Sequence, residues 1–523
     1  MGVYVNPGND NFKESLNSDI YVDKSMLIHQ LNKVIKTENK FVSVSRPRRF
    51  GKSMAGNMIA SYYSIGCDSK ELFSSLKISS DYLYLNKFNV LKFDMGAFYS
   101  IYPENTVSWL EKKIKKDFIK TFPLIDYSDC DSIADCLMQS YLETKIPFVI
   151  IIDEYDVLIR EKTNCDVKSS FLRFLNGLFK NSDLSPALAL VYITGILPII
   201  KDKVGSKLNN FNEYTMLNAG PLAEYTGFTS AECNDLCNKY LMSYSECSKW
   251  YNGYNLDSYE LYSPSSVVSA MLNHRYDDYW TQTGSFESIK DYILLDFSGI
   301  KDDVIKMLSG ESVKVNTSKF QNSLDAFKSK DDVFTYLIHL GYLAYNEQNE
   351  ECYIPNYEIK KEWINSIEDE SDYFHVVEII RRSKKLLDDV YRFDNESVAK
   401  QIERIHMEIT SNMTYNNEVA FLSVIRLAFF YAQTYYNIYS ELPTGKGYAD
   451  CVFIPYDKNR SPIVIELKKD KSAYGAIKQI KDKEYYYSLE SYKGNIILVG
   501  INYSTKTKEH SCIIEKAQNK RMK

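Results

Sequence analysis

The stretch Phe41-Val-Ser-Val-Ser-Arg-Pro-Arg-Arg-Phe-Gly-Lys-Ser53 decides how the N-terminal part of the chain folds. Its first five residues are typical of a strand, and the pattern from Lys52 to about Tyr63 is typical of a helix. A strand, a basic turn with Gly51 and a helix form the setting of a phosphate-binding loop, because backbone N–H groups at the start of the helix point at anionic oxygens. Arg46 stands where such a loop usually has its first glycine.

This loop is expected to bind ATP together with Mg²⁺. Lys52 is predicted to reach the β- and γ-phosphates, and the Ser53 hydroxyl is predicted to ligate Mg²⁺. Gly51 permits close approach of the backbone to the phosphates. Arg48 and Arg49 complete the predicted nucleotide-binding residues of the loop.

A second acidic motif follows an apolar run further along the chain. Pro147-Phe-Val-Ile-Ile-Ile152 predicts a strand buried on both faces, and it is followed by Asp153 and Glu154. Asp153 is predicted to hold Mg²⁺, directly or through water, and Glu154 to polarise the attacking water. Asn89 to Asp94 predicts a further strand between the two motifs, as in P-loop proteins that hydrolyse nucleotide. Thr194 ends the next strand-like run, where a sensor of the γ-phosphate is expected.

Four stretches together resemble a known family: Tyr21-Val-Asp-Lys-Ser25, Ser45-Arg-Pro-Arg-Arg-Phe-Gly-Lys-Ser53, Ile152-Asp-Glu-Tyr-Asp156 and Ile193-Thr-Gly195. They resemble the AAA-ATPase-like family, which is itself similar to archaeal ATPases with an RRxGKT loop. Arginine at the position of Arg46 is usual for that family. The resemblance extends through Lys249-Trp-Tyr-Asn-Gly-Tyr254, Leu261-Tyr-Ser-Pro264 and Ile354-Pro-Asn356. It implies an ATPase core followed by a helical lid and a winged-helix-like element.

Two acidic stretches in the last third of the chain indicate a second chemistry. Gly447-Tyr-Ala-Asp450 and Ile465-Glu-Leu-Lys468 lie on successive strand-like runs. Glu466 and Lys468 are two residues apart, so they project from one face of a strand, and neighbouring strands lie about 4.8 Å apart. Asp450 and Glu466 are therefore expected to share a Mg²⁺ ion that activates water for attack on a phosphodiester. Lys468 would orient the nucleophile or neutralise charge.

The same residues resemble the core of the PD-(D/E)XK nuclease superfamily. The resemblance implies that Asp450, Glu466 and Lys468 are catalytic, with the two acids holding the metal. Glu418, which opens the preceding predicted helix, matches an upstream acid of the superfamily. Gln479, on the following predicted helix, matches its additional polar position.

The sequence leaves two functions open. In the first, the chain is an ATPase whose nucleotide state gates a Mg²⁺-dependent nuclease, and the intact acids and lysine favour this function. In the second, the chain is a nucleotide-dependent switch or scaffold protein with a catalytically inactive nuclease fold used for binding. Tyr448 stands where close relatives within the superfamily often have a positive residue, and this difference is expected to alter contact with phosphate. A homo-oligomer also stays open, with Arg160 or Arg173 as an arginine finger for a neighbouring chain.

Composition and charge bound the class of protein. With 45% hydrophobic and 25% charged residues, the 523 residues have a globular composition. The net charge is −6, but residues 376–523 carry 24 Lys+Arg against 18 Asp+Glu. This basic excess favours a polyanion as the partner. The partner is expected to be nucleic acid, with DNA preferred over RNA. No apolar run approaches the ~18 residues of a membrane span and no secretory signal is visible, so we expect a cytoplasmic protein without a membrane partner.

The predicted fold class is α/β in three parts. Residues 1–225 are expected to form a P-loop NTPase domain on a parallel sheet, and residues 226–375 a helical middle region with a winged-helix-like element. Residues 376–523 are expected to form an α/β restriction-endonuclease-like domain. Within that domain a helix is predicted from Glu418 to Tyr436, followed by two strands, a helix and a strand.

Overall fold

A computed structural model describes residues 2–161, 163, 165–199, 208–280, 289–293, 295, 297–320, 327–368, 370, 373–410, 418–444, 447–457, 459–485, 489 and 495–517. Its α-helices are α1 (Asp10–Leu16), α2 (Met26–Val34), α3 (Lys52–Tyr63), α4 (Lys70–Phe73), α5 (Met95–Ile101), α6 (Thr106–Thr121), α7 (Ile133–Thr144), α8 (Val157–Arg160), α9 (Cys165–Phe179), α10 (Ser230–Lys239), α11 (Tyr244–Tyr251), α12 (Pro264–Asn273), α13 (Ile289–Ile293), α14 (Ile300–Ser309), α15 (Lys330–Leu340), α16 (Tyr357–Ile367), α17 (Phe374–Tyr391), α18 (Asn395–Thr410), α19 (Glu418–Ala428) and α20 (Ala473–Asp482). Its strands are β1 (Phe41–Ser45), β2 (Asn89–Asp94), β3 (Phe148–Asp153), β4 (Leu188–Gly195), β5 (Asn212–Tyr214), β6 (Phe228–Thr229), β7 (Tyr254–Leu256), β8 (Tyr259–Tyr262), β9 (Val313–Lys314), β10 (Ala344–Asn346), β11 (Glu351–Tyr353), β12 (Tyr436–Thr444), β13 (Gly447–Pro455), β14 (Ile463–Lys469), β15 (Ile496–Tyr503) and β16 (His510–Ala517).

The chain folds as two compact units. The first comprises residues 1–286 and 314–359, and the second comprises residues 287–313 and 360–523. The three-part division at residues 225 and 375 stays a prediction. Among the described residues, no helix is both long enough and apolar enough to cross a lipid bilayer.

The first unit is built on a parallel sheet with the strand order β2-β3-β4-β1-β5. Every residue of β3 is buried, because its alternate side chains enter apolar clusters on the two faces of the sheet. β4 lies between β1, which leads into the phosphate-binding loop, and β3, which ends in the acids. Parallel strands end at the same edge of a sheet, so the loop and the acids meet there. The predicted α/β P-loop domain is confirmed.

The rest of the first unit is a mainly helical region with α10, α11, α12 and α15 and short strand pairs. The motifs noted in the sequence cross-link it. Asn356 Nδ2 donates to the Asn252 carbonyl at 2.8 Å, and the Tyr254 hydroxyl donates to the Gly341 carbonyl at 2.7 Å. Gly253 has φ +108° and lies against the Pro355 carbonyl, where a Cβ has no room. The helical middle region is confirmed, and the winged-helix-like element stays a prediction.

The second unit contains a mixed sheet with the strand order β12-β13-β14-β15-β16. Only β14 and β15 pair in parallel, and α20 connects them and packs on both. The helices α17, α18 and α19 pack against one another, and α18 also packs on β16. This arrangement confirms the predicted C-terminal α/β domain.

The structure corrects the elements at both edges of this sheet. The helix predicted to reach Tyr436 ends at Ala428, and β12 begins at Tyr436. The β16 strand, at the opposite edge, was not predicted at all. Both strands mix polar and apolar residues, and each is fixed by antiparallel pairing with a neighbour, β13 or β15. Edge strands bury less surface, so their sequences carry a weak pattern and tertiary pairing decides their conformation.

Gly500 on β15 allows α20 to lie close to the sheet beside the acid-bearing β14. A Cβ at this position would stand 2.5 Å from the Ala473 carbonyl oxygen and 3.0 Å from the Ala476 Cβ. We expect Gly500→Ala to lower the melting temperature of the second unit by several degrees, because overpacking costs about 1–3 kcal/mol. Thermal unfolding is compared with Gly475→Ala, whose Cβ would meet only the Ser472 Oγ at 3.2 Å. Equal melting temperatures for the two variants would contradict this role of Gly500.

Candidate nucleotide-binding and metal sites

The phosphate-binding loop joins β1 to α3 and is tied to the end of β4. The Arg46 N–H donates to the Gly195 carbonyl at 3.0 Å, and the Ser45 hydroxyl donates to the Leu197 carbonyl at 2.9 Å. Gly51 precedes α3 in a left-handed conformation with φ +85°, which a residue without Cβ adopts at little cost. The first N–H groups of α3 have no acceptor within the helix, so they are available to an anion.

Lys52 and Ser53 open α3 with different exposure. Lys52 Nζ donates to the carbonyls of Arg46 and Pro47 at 2.9 and 2.7 Å, and the residue is only 8% exposed. Burial lowers the pKa of Lys52 to about 8, against the opposing charges of Asp153 and other acids near the end of β3. Ser53 is exposed. The Lys52 ammonium group therefore bonds to two carbonyls of its own loop. Phosphate oxygens are also acceptors and can replace these two carbonyls.

The acids at the end of β3 lie on the same edge of the sheet. Asp153 is 5% exposed, and its Oδ1 accepts from Thr194 Oγ1 at 2.5 Å and from the Glu154 N–H at 3.0 Å. The pairing of β3 with β4 places Thr194 there. Glu154 has φ +48° and is half-buried. Burial is the main cause that raises the pKa of Glu154, and the charge of Asp94 adds to it. A raised pKa suits a group that accepts a proton from water.

Asp94 belongs to this acidic edge and was not among the predicted site residues. The parallel register sets Asp94, the last residue of β2, beside Asp153. Its Oδ1 accepts from the Ala97 N–H at 3.2 Å and so caps α5. Asp94 keeps an exposed side chain, but partial desolvation by its neighbours, followed by the charge of Asp153, raises its pKa. Gly96 leaves room for the Glu154 carboxylate against the first turn of α5. The sequence signal for Asp94 is a strand that ends in an acid, as β3 does.

The arginines of the loop differ in burial. Arg46 is fully buried, and its Nη1 donates to the carbonyls of Ser45 and Tyr214 at 2.8 and 3.0 Å. The Arg46 side chain, at the position where such a loop usually has glycine, thus makes its hydrogen bonds in the interior of the protein. Arg48 and Arg49 are both half-buried. The predicted contact of these two arginines with nucleotide stays a prediction.

The two arginines named as fingers differ in exposure. Arg160, the last residue of α8, is 4% exposed, and its positive charge acts on Glu154 and Lys52 of its own chain. A side chain buried in its own chain is not presented to a neighbour, so the structure does not support Arg160 as a finger. Arg173 on α9 is exposed.

Asp450 and Glu466 lie on neighbouring strands of the second unit. The antiparallel register of β13 and β14, continued by one step, sets Asp450 opposite Glu466. Asp450 Oδ2 accepts from the Leu467 N–H at 2.7 Å, and Lys468 Nζ donates to Glu466 Oε1 at 2.8 Å. The structure therefore brings together the two acids and the lysine that the spacing pointed to.

The two oxygens of the Glu466 carboxylate differ in their surroundings. Glu466 is 1% exposed, and its Oε1 also accepts from the Gln479 amide on α20. That amide donates to the Tyr485 hydroxyl as well, at 3.2 Å. Among the described residues, Glu466 Oε2 has no hydrogen-bond partner. A buried carboxylate oxygen without a partner costs free energy, and a cation supplies the missing partner, so these residues fit a metal ion.

The charges around Glu466 agree with a metal site. Burial is the largest cause that raises the pKa of Glu466, the charge of Asp450 raises it further, and Lys468 opposes both. No group of three His, Cys, Asp or Glu side chains able to hold a metal ion occurs in the described part of the chain. Mg²⁺ does not need such a group, because it is usually held by one or two carboxylates with waters and phosphate oxygens.

Three further residues bear on this site. Tyr485 is fully buried and was not among the predicted site residues; its place just beyond the end of α20, near Gln479, was the available signal. Tyr448, two residues before Asp450, is 65% exposed. Glu418 begins α19 as predicted, and its side chain lies outside the described part of the structure.

Comparison with known proteins agrees with both predicted domains. A family model described as predicted AAA-ATPase matches residues 7–205, and one described as PD-(D/E)XK nuclease superfamily matches residues 417–512. These matches confirm the architecture predicted from the motifs.

Two individual proteins are also similar to this chain. An uncharacterized protein in the vnfD 5′ region of Azotobacter chroococcum mcd 1 is 23% identical over 277 residues, which cover 51% of this chain and 51% of that protein. The chain thus spans about half the length of this curated relative. The ORC2 protein of Aeropyrum pernix, solved in ADPNP and ADP complexes, is 10% identical with a TM-score of 0.31, covering 67% of this chain and 96% of that chain. No conclusion rests on a likeness of that size.

Proposed function

We propose that this chain binds and hydrolyses ATP at the loop between β1 and α3, and that its nucleotide state governs Mg²⁺-dependent cleavage of nucleic acid by the C-terminal domain. The observation that carries the proposal is that Glu466 Oε2 is buried without a partner in the described structure. Glu466 lies opposite Asp450 on the neighbouring strand. The match of residues 7–205 to an ATPase family supports the nucleotide half of the proposal.

In the nucleotide site, the proposed roles use the loop and the acids at the end of β3. Lys52 would exchange the carbonyls of its own loop for phosphate oxygens. Ser53 and Asp153 would hold Mg²⁺, which supplies charge neutralisation for the phosphates when bound. Thr194, fixed by its bond to Asp153, would sense the terminal phosphate. Glu154 orients the attacking water and accepts its proton.

In the nuclease-like domain, Asp450 and Glu466 would hold Mg²⁺, which lowers the pKa of a water and stabilises the leaving oxygen of a phosphodiester when bound. Gln479 and Lys468 both donate to Glu466 Oε1 and so orient the carboxylate with Oε2 available. Lys468 also brings a positive charge to the place where the scissile phosphate would lie. The basic excess of residues 376–523 supports a nucleic-acid partner.

The test is a cleavage assay with the full-length protein on single- and double-stranded DNA and RNA. Each substrate is incubated with Mg²⁺, Mn²⁺ or EDTA, with and without ATP, beside Asp450→Asn. We expect cleavage that requires the metal, changes with ATP and is lost in the variant. If the wild type binds ATP but cleaves nothing, the switch or scaffold function, with a nuclease fold that only binds, replaces this proposal.

A further inference from the structure

The helical part of the first unit contacts the phosphate-binding loop at Pro47, Arg49 and Phe50. The Phe50 carbonyl accepts from the Gly227 N–H at 3.0 Å, and the Phe50 ring packs edge-on against Tyr254, with ring centroids 5.3 Å apart. The Pro47 ring lies against Gly341, where a Cβ would come within 2.8 Å of it. These contacts are buried, and each is either apolar or formed by backbone atoms alone. A bound nucleotide therefore has no group that would replace them.

Arg49 is held differently. Its Nη1 donates to the Tyr279 carbonyl at 2.9 Å, and the side chain is half-buried. The residue itself has φ +68°, which places it in the left-handed region beside Gly51. A guanidinium has several N–H donors, and a neutral carbonyl is a weak partner for a charged group compared with a phosphate. The Arg49 contact is therefore one that a phosphate can replace.

The Tyr279 carbonyl is fixed in place by a buried glutamate. Glu358 is fully buried, and its Oε1 accepts from the N–H groups of Tyr279 and Trp280 at 2.8 and 2.9 Å. Its Oε2 accepts from the Ser266 hydroxyl at 2.9 Å. The turn at residues 279–280 is thus anchored on α16 and α12, and its Tyr279 carbonyl is held in position to accept from Arg49.

We infer that Arg49 is the residue by which this site distinguishes a nucleoside triphosphate from a diphosphate, and that it leaves the Tyr279 carbonyl for the terminal phosphate when a triphosphate binds. The inference rests on the proposed ATP binding. A terminal phosphate offers charged oxygens that form stronger hydrogen bonds than a carbonyl, whereas a diphosphate leaves Arg49 on Tyr279. The same exchange releases the turn at residues 279–280 from the loop, so Trp280 would report it.

The experiment measures the affinity of the full-length protein for ADP and for a non-hydrolysable triphosphate analogue, with Mg²⁺, by calorimetry. We expect Arg49→Ala to weaken the analogue about 10- to 100-fold and ADP less than about 3-fold, since hydrogen bonds between charged groups are lost only with the triphosphate. The affinity of Arg49→Lys for the analogue is expected to lie between those of the wild type and Arg49→Ala. Arg275→Ala is the matched control, because it removes the same charge four residues from Tyr279 on an exposed side chain and should change neither affinity.

A second measurement follows the tryptophan emission during titration. The analogue, but not ADP, should change the emission of the wild type, and the change should be absent in Arg49→Ala and in Trp280→Phe. Equal weakening of both nucleotides in Arg49→Ala, or no weakening, overturns the role of Arg49 while leaving ATP binding intact. A wild type that binds neither nucleotide overturns both the inference and the proposed function.

Discussion

Replacing Glu466 with glutamine is expected to abolish Mg²⁺-dependent cleavage and at the same time to raise the melting temperature of the second unit. Glutamine keeps the volume, and its Oε1 can still accept from Lys468 and Gln479. It removes a charge that burial makes costly and that Asp450 repels. That charge is what the metal requires, so cleavage should fall about 1,000-fold or more, because a bound metal contributes several kcal/mol to the transition state.

The stability gain in Glu466→Gln should depend on pH with a definite sign. Burial raises the pKa of Glu466 above that of a glutamate in the unfolded chain. The wild type therefore loses stability as the pH rises from the unfolded pKa through the folded one, and the glutamine variant does not. The difference in melting temperature between the two proteins should grow from acidic to neutral pH.

Differential scanning calorimetry at several pH values, beside the cleavage assay, checks both effects. Lys468→Met is the matched comparison, because it removes the opposite charge of the same ion pair and should lower the melting temperature instead. Cleavage by Glu466→Gln at the wild-type rate would remove Glu466 from the metal site. A lower melting temperature than the wild type at neutral pH would show that the carboxylate serves the fold and not a metal.

The sequence could predict the chemistry that depends on short-range pattern. A strand followed by Gly51 and Lys52, and another followed by Asp153, lead to one shared edge because parallel strands end together. The acid pair of the second unit follows from the same reasoning on two adjacent strands, which the register of Asp450 and Glu466 agrees with. Within each motif the residues that matter lie close together in the sequence.

The sequence could not predict contacts that depend on which distant segments pack together. Asp94 joins the acidic edge only because β2 is the neighbour of β3. The sequence of neither strand indicates which strand it pairs with. The hydrogen bond from Arg49 to the carbonyl of Tyr279, 230 residues further along the chain, had no signal in the sequence. The partnership of Tyr485 with Gln479 depends on the chain turning back after α20. Long-range geometry of this kind leaves no periodic trace in the sequence.

The other large effect is expected for Glu154→Gln, which should retain ATP while losing hydrolysis by about 100- to 10,000-fold, the range for a general base. The side chain of Glu154 takes no part in holding Asp153, since the bond from Glu154 to Asp153 Oδ1 comes from its backbone N–H. The substitution therefore leaves the magnesium ligand and its bond from Thr194 intact. Asp153→Ala removes both, so that variant should lose Mg²⁺-dependent nucleotide binding as well as hydrolysis.

Phosphate release and the Kd for Mg²⁺·ATP, measured on both variants, separate the two acids. Asp94→Asn is the matched control, because it lies on the same edge and its Oδ1 can still cap α5 through the Ala97 N–H. An equal loss of hydrolysis in Asp94→Asn and Glu154→Gln would assign water activation to the pair of carboxylates. Undiminished hydrolysis in Glu154→Gln would show that Glu154 takes no part in the reaction.

Because Glu154→Gln should bind ATP without hydrolysing it, its cleavage of nucleic acid distinguishes the effect of ATP binding on the nuclease-like domain from the effect of hydrolysis. An ATP effect as large as in the wild type means that binding is sufficient, and its disappearance means that hydrolysis is required.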